Sequence, residues 1–239
     1  ITIPASVVSI AVDAFKDCSA LTSVIFESDS KLEIIGDWAF YDTNLAGITI
    51  PASVTTIGDA SFYKCSLFTS LSFEIGSQLD SMGDSAFHST GLTSVIIPAS
   101  VATMGTSAFS SCYDLTSVIF ESGSLLEGIS AFTFIYSGLT GIIVPAAVSS
   151  IANGAFQGCT DLTSVTFESG NELETIGHGV FQSTDLLSII IPASVTTIYN
   201  DAFRSCSVLT SVTFESNSQL EIIDDGAFRS SGLTSIIVP

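Results

Sequence analysis

The sequence predicts an α/β solenoid, a stack of short coils with parallel strands on one side and short helices or 3-10 turns on the other. Three observations predict it. The six prolines, Pro4, Pro51, Pro98, Pro145, Pro192 and Pro239, stand 47 residues apart in a chain of 239. The five cysteines, Cys18, Cys65, Cys112, Cys159 and Cys206, keep the same 47-residue interval. A phenylalanine recurs twice in every unit, at Phe15, Phe40, Phe62, Phe87, Phe109, Phe134, Phe156, Phe181, Phe203 and Phe228, at intervals alternating between 25 and 22. Self-similarity at one fixed period, without insertions, is the mark of an array in which each unit stacks on its neighbours.

Each unit divides into two related halves, Ile1 to Ser23 and Val24 to Gly47 in the first. The mean coil is therefore about 23 residues, inside the roughly 20–29 residues of leucine-rich repeats. Leu21-Thr22-Ser23-Val24-Ile25-Phe26 reads L-x-x-L-x-L and returns at 115–120, 162–167 and 209–214. Alternation along a strand turns Val24 and Phe26 inward and Ser23, Ile25 and Glu27 outward. Repeated through the chain, this gives one parallel sheet of about eleven short strands. The segment around Asp13-Ala14-Phe15 is expected to form a short helix or 3-10 turn on the opposite side, with Lys16 and Asp17 facing water. The Phe, Leu, Ile and Val side chains then form columns, since one coil cannot bury its apolar side alone. Residues 1–239 form a single solenoid of five double repeats, 1–47, 48–94, 95–141, 142–188 and 189–235, plus the start of a sixth. Ile1-Thr2-Ile3-Pro4 is itself an internal piece of the repeat, so the chain is expected to be part of a longer array. One coil departs from the pattern, with Ala131-Phe132 ahead of Thr133-Phe134. A local adjustment of its turn is expected there, without a broken coil.

Composition excludes several function classes. The formal net charge is -19, from 24 acids against 5 bases. Such a surface repels phosphate backbones and anionic bilayers, so nucleic-acid partners are not expected. No apolar run approaches the roughly 18 residues of a membrane span, so this segment is not expected to insert in a bilayer. His88 and His178 fall in different columns, and no Gly-rich phosphate loop, G-x-S-x-G elbow or CxxC pair appears. No enzyme activity and no cofactor are expected.

The motif I-P-A-S-V-x-x-I-x-x-x-A-F-x-x-C-x-x-L-T-S, as in Ile191 to Ser211, resembles the BspA-like leucine-rich repeats, and the match runs through the whole chain. The resemblance implies 23-residue coils bearing an AFxxC signature. It also implies a surface or secreted protein, in a family of which several members resemble adhesins. In this chain the cysteine stands only in the first half of each unit; the second half has Thr43, Thr90, Ser137, Thr184 or Ser231 instead. The resemblance carries over no site residues, because the family shares a scaffold and not a catalytic motif.

Three columns are candidates for chemistry or recognition. The cysteines are two coils apart, about 9.6 Å by strand spacing. That exceeds the roughly 7 Å Cα separation a disulfide tolerates, so they are read as small buried hydrophobes. Two acidic columns, Glu27, Glu74, Glu121, Glu168, Glu215 and Glu33, Asp80, Glu127, Glu174, Glu221, flank a Ser/Gly/Asn-rich turn. Their oxygens suit calcium if both acids and turn carbonyls converge; a solvated acidic stripe is the preferred reading. The outward middle of the strands is a row that includes Ile25, Thr49, Ile96, Ile119, Ile143, Thr166, Ile190 and Thr213. β-branched residues suit a parallel ladder, but an exposed isoleucine row also suits a contact strip. Its threonines are too irregular for an ice-binding face.

The expectation is therefore a non-enzymatic adhesion or recognition module of an extracellular or cell surface, binding protein or glycan partners through the exposed sheet face. The alternative is a structural element whose copies associate end to end into a fibre or coat.

Overall fold

The computed structural model describes residues 1–238. Twenty short strands follow one another along the chain. The first ten are β1 (Thr2–Ile3), β2 (Ser9–Ile10), β3 (Ile25–Phe26), β4 (Ile34–Ile35), β5 (Gly47–Ile50), β6 (Thr56–Ile57), β7 (Ser70–Phe73), β8 (Ser81–Met82), β9 (Ser94–Ile97) and β10 (Thr103–Met104). The second ten are β11 (Ser117–Phe120), β12 (Gly128–Ile129), β13 (Gly141–Val144), β14 (Ser150–Ile151), β15 (Ser164–Phe167), β16 (Thr175–Ile176), β17 (Ser188–Ile191), β18 (Thr197–Ile198), β19 (Ser211–Phe214) and β20 (Ile222–Ile223). Each coil contributes an odd-numbered strand to one face and an even-numbered strand to the next, and all pairings are parallel.

The architecture is a parallel β-solenoid, which corrects the α/β expectation: no helix or 3-10 turn occurs among the described residues. The segments expected to be helical are runs of turns with a left-handed residue at every fourth position. Asp13 and Asp17 have φ of 58° and 58°, Trp38 and Asp42 52° and 52°, Ser85 and Ser89 55° and 56°. A right-handed helix cannot pass through such residues. The hydrogen bonds explain what holds them there. The N–H groups of Asp13, Phe15 and Asp17 donate across to Asp37, Ala39 and Tyr41 of the next coil. Those of Ala14, Lys16 and Cys18 close local turns onto Ala11, Asp13 and Phe15. Every second N–H thus points along the solenoid axis, where an α-helix would direct all of them at its own preceding turn.

The strand ladder is also not one sheet of eleven. The odd strands form five two-stranded sheets, β1–β3, β5–β7, β9–β11, β13–β15 and β17–β19, and the even strands form two five-stranded sheets. Residues 236–238 adopt no strand. Proline accounts for the pairing. Within a unit the strand end is fastened by the N–H groups of Glu74, Glu121, Glu168 and Glu215, which donate to Ile50, Ile97, Val144 and Ile191 at 3.0 Å. One coil later the same position is Pro98, Pro145 or Pro192, which has no N–H to give. From β11 to β13 a bond survives just before the strand start, from Thr140 N–H to Thr116 O at 3.3 Å, against 3.0 Å for Thr163 N–H to Thr140 O from β13 to β15.

The core is columnar, as the periodicity requires. The ten Phe rings form one unbroken stack, with neighbouring centroids 5.1–5.7 Å apart. Val24, Ile48, Leu71, Val95, Val118, Ile142, Val165, Ile189 and Val212 are buried behind the strands. The adjustment at the divergent coil is real but lies in the second face. The two five-stranded sheets part between β10 and β12, and the widest Phe step, 5.7 Å, is Phe109 to Phe134. In earlier coils Asp37, Asp59 and Asp84 each accept the N–H of the next coil, from Asp59, Asp84 and Thr106, at 2.7–2.9 Å. At the step where the sheets part, Thr106 stands in the acceptor's place and offers no carboxylate to the N–H of Ala131.

Candidate recognition face and its grooves

The strip lies where alternation puts it. Ile25, Ile96, Ile119, Ile143 and Ile190 are 54–62% exposed, and Thr49, Thr166 and Thr213 are exposed beside them. Parallel pairing sets Ile119 beside Ile96, Ile143 beside Thr166 and Ile190 beside Thr213. Thr49 Oγ1 and Ser72 Oγ lie 2.9 Å apart across the β5–β7 pair.

The interrupted ladder turns this strip into a series of grooves. One of about 430 Å³ opens between β7 and β9, one of about 450 Å³ between β11 and β13, and one of about 510 Å³ between β15 and β17. A fourth, of about 460 Å³, lies between β19 and residues 235–237. The first three sit at the steps where Pro98, Pro145 and Pro192 remove the closing hydrogen bond. Ile96, Ile143, Ile190 and Ile237 recur in the walls of the four grooves 47 residues apart, joined by Ile75 in the first groove and Ile119 in the second. Serine and threonine hydroxyls, further apolar side chains and, in three of the grooves, glutamate share the lining, and no Lys or Arg lines any of them. Ile25 and Thr49 stand on the strip outside these four grooves. The sequence carried a signal for the grooves in the 47-residue prolines, which identify the position at which every second ladder step lacks its donor.

The first acidic column borders the grooves and is used structurally. Glu27, Glu74, Glu121, Glu168 and Glu215 each accept, through Oε2, the backbone N–H of Ala5, Ala52, Ala99, Ala146 and Ala193 at 2.9–3.0 Å. Each carboxylate thereby ties the turn after a proline to the following coil. Glu33, Asp80, Glu127, Glu174 and Glu221 are exposed. Among the described residues no three acidic, histidine or cysteine side chains converge as a metal site.

Cys65, Cys112, Cys159 and Cys206 are buried and unpaired; Cys18, in the first coil, is exposed, which corrects the expectation of a wholly buried column. The replacement of Cys by Thr or Ser in the second halves has a geometric purpose. Thr43, Thr90, Ser137 and Thr184 place their hydroxyls 3.2–3.4 Å from the thiols of Cys65, Cys112, Cys159 and Cys206. Each thiol also donates to a Phe carbonyl one coil back, at 2.9–3.1 Å. Burial pushes Cys112 and Cys159 up to about 11 from an ordinary 9.0.

Sequence reasoning missed a cluster on the turn side. Lys16 sits 5.0 Å from the Trp38 ring and 5.4 Å from that of Tyr41, and forms an ion pair with Asp13 at 3.0 Å. Lys64 lies 5.5 Å from the Tyr63 ring. Tyr41 stacks on Tyr63 at 5.4 Å, and Tyr63 on His88 at 4.5 Å. Burial lowers the His88 pKa, and its Nδ1 lies 2.7 Å from Ser89 Oγ. His178 is elsewhere, 5.0 Å from the Tyr199 ring, so the two histidines share no site. Four of the chain's five cations, Lys16, Lys64, Arg204 and Arg229, follow the turn-side Phe column and not the strands.

The family model for the BspA type leucine rich repeat region matches residues 1–116 and 127–239, in six copies. Among solved structures the chain is similar to the pneumococcal vaccine antigen PcpA, at 21% identity and a TM-score of 0.60, over 92% of this chain and 66% of that one. It therefore spans just under two thirds of that antigen. It is similar to the T. pallidum leucine-rich repeat protein at 24% identity and a TM-score of 0.50, over 74% of this chain and 76% of that one. A leucine-rich repeat protein from Bacteroides ovatus is 22% identical over 96% of this chain and 84% of its own, with a TM-score of 0.48. For the first two, the likeness is one of fold. No curated protein matches the chain.

Proposed function

Because the chain belongs to the BspA-type leucine-rich repeat family, we propose that it is a non-enzymatic recognition module of a cell surface or extracellular space, binding a protein or glycan partner through its exposed sheet face. The observation that supports this reading is the recurrence of a groove at four successive steps along that face, each with an exposed isoleucine in its wall and Ser or Thr hydroxyls beside it. Apolar surface in a row, with polar rims, is what an interaction strip requires. The solenoid puts such a row on a rigid support, because every coil is held by its two neighbours.

The test is a double substitution, Ile119→Asp with Ile143→Asp, assayed for attachment to intact cells and to arrayed matrix proteins and glycans. Attachment should fall by at least about tenfold, which is about 1.4 kcal/mol. The melting temperature should stay near that of the parent, because both side chains point to water. Undiminished attachment by a folded variant would overturn the reading.

A further inference from the structure

The four grooves share a pitch, and the pitch restricts what can occupy them together. Each is one unit, or two coil steps, from the next. Hydrogen-bonded strands lie about 4.8 Å apart, so two steps are at least about 9.6 Å. The Phe stack, at 5.1–5.7 Å per step, puts the same two-step interval at about 10–11 Å in the core. An α-helix returns the same face every seven residues, a rise of about 10.5 Å, inside that window. A polyproline-II segment repeats at about 9.3 Å, below it. An extended strand returns a face at about 6.7 Å and again at about 13 Å, on either side of it. Width agrees as well. The four-residue strands span about 13 Å, and a helix with its side chains is about 10–12 Å across.

Charge narrows the chemistry. Three of the grooves carry glutamate in their lining beside the isoleucine wall, Glu74 and Glu121 in the first, Glu168 in the second and Glu215 in the third, and none carries a cation. The carboxylates keep one oxygen on an alanine N–H, which leaves the other free to accept. A second copy of this face would set carboxylate against carboxylate, so self-pairing through it is disfavoured. We propose that the occupant is a basic amphipathic helix lying along the solenoid axis, with one apolar residue and one Lys or Arg in each seven-residue repeat. The apolar residue enters a groove against isoleucine, and the cation meets the adjoining glutamate. This rests on the sheet face being the binding face, and it names the partner's chemistry.

A chain of net charge -19 attracts any polycation, so the test must separate spacing from charge. Two synthetic peptides of four repeats carry the same apolar and basic residues, one in a seven-residue repeat and one with each repeat lengthened to eight by an alanine. Binding is followed by fluorescence anisotropy at physiological ionic strength, where exposed charges are screened beyond about 8 Å. The seven-residue peptide should bind at least about tenfold more tightly, through multivalent engagement, and gain helical circular dichroism on binding. Ile143→Ser with Ile190→Ser should abolish that advantage without changing the protein's net charge. Equal affinity for both peptides overturns the helix, as does an advantage that survives the serine substitutions. If the helix fails while the aspartate variant still loses attachment to cells or arrays, the face stands and only its proposed occupant falls; if attachment is also undiminished, both fall.

Discussion

Thr90 Oγ1 lies 3.2 Å from Cys112 Sγ, and the pair bridges the step at which Pro98 interrupts the strand ladder. The same relationship joins Thr43 to Cys65, Ser137 to Cys159 and Thr184 to Cys206, always between units. Strand hydrogen bonds close the step within each unit, and a thiol–hydroxyl pair reinforces the step between units. Cys112→Ala and Thr90→Val should each cost about 1–2 kcal/mol, from lost packing and one weakened hydrogen bond. Because the two residues share one contact and both bond Phe87 O, the double variant should lose less than the sum. Denaturant unfolding of the four proteins in this cycle measures the coupling, and strict additivity would show that the contact contributes nothing of its own.

Thiol chemistry should divide the cysteines one against four. Cys18 is exposed and should alkylate rapidly in the folded protein, while Cys65, Cys112, Cys159 and Cys206 should modify only on unfolding. The same burial gives a pH dependence. Folded Cys112 and Cys159 titrate at about 11, against an ordinary 9.0. The folded state thus retains protons that the unfolded state releases, and stability falls as pH rises. Their contribution should be complete below pH 9 and lost between 9 and about 11. Melting temperatures across that range should fall less steeply in a variant with Cys112→Ala and Cys159→Ala than in the parent.

The columns were legible because they depend only on period. Phe40, Phe62 and Phe87 stack because they recur at coil length, and Ile25 and Ile119 point outward because strands alternate. The missing helices were not legible. The backbone turns left-handed at Trp38, Lys64 and Ser107, residue types that give no local warning of it; the inter-coil hydrogen bonds outweigh the local preference. The grooves fell between these cases. Pro51 and Pro98 were visible as punctuation, but their effect is felt by a coil 24 residues earlier in the chain, which local reading does not reach. The Asp37–Asp59–Asp84 ladder likewise depends on stacking, although the recurrent Gly-Asp pairs 36–37, 58–59 and 83–84 announce it.

The acidic column should act as a structural brace and not as a calcium site. Glu121 Oε2 accepts the Ala99 N–H at 3.0 Å. Glu121→Ala should cost about 1 kcal/mol, and Glu121→Gln, whose amide oxygen can still accept, should cost less. Millimolar calcium at fixed ionic strength should leave the melting temperature of the parent unchanged. A rise on adding calcium, reversed by chelator and reduced in the Glu121→Ala protein, would show instead that the carboxylates converge on the ion in solution.

The divergent coil offers the sharpest test of inter-coil packing. Tyr136 lays its ring over Gly158, and Phe132 lays its ring over Gly154, so two bulky residues of one coil rest on two glycines of the next. A Cβ at Gly158 would come closer than 3.0 Å to the Tyr136 ring, and the residue has φ of +70°. Gly123 is a matched control, with φ of +77° and nothing within 4 Å of an added Cβ. Gly123→Ala should therefore cost only the left-handed strain, about 1 kcal/mol. Gly158→Ala adds a collision that the ring must escape by moving into solvent, for a further loss of about 1–2 kcal/mol. Removing the ring isolates that part. In a Tyr136→Ala background the cost of Gly158→Ala should fall to that of Gly123→Ala, measured by denaturant unfolding. Equal costs for the two glycine substitutions in the parent would mean that the ring does not rest on Gly158 at all, and that the coil tolerates its extra aromatics by turning them outward.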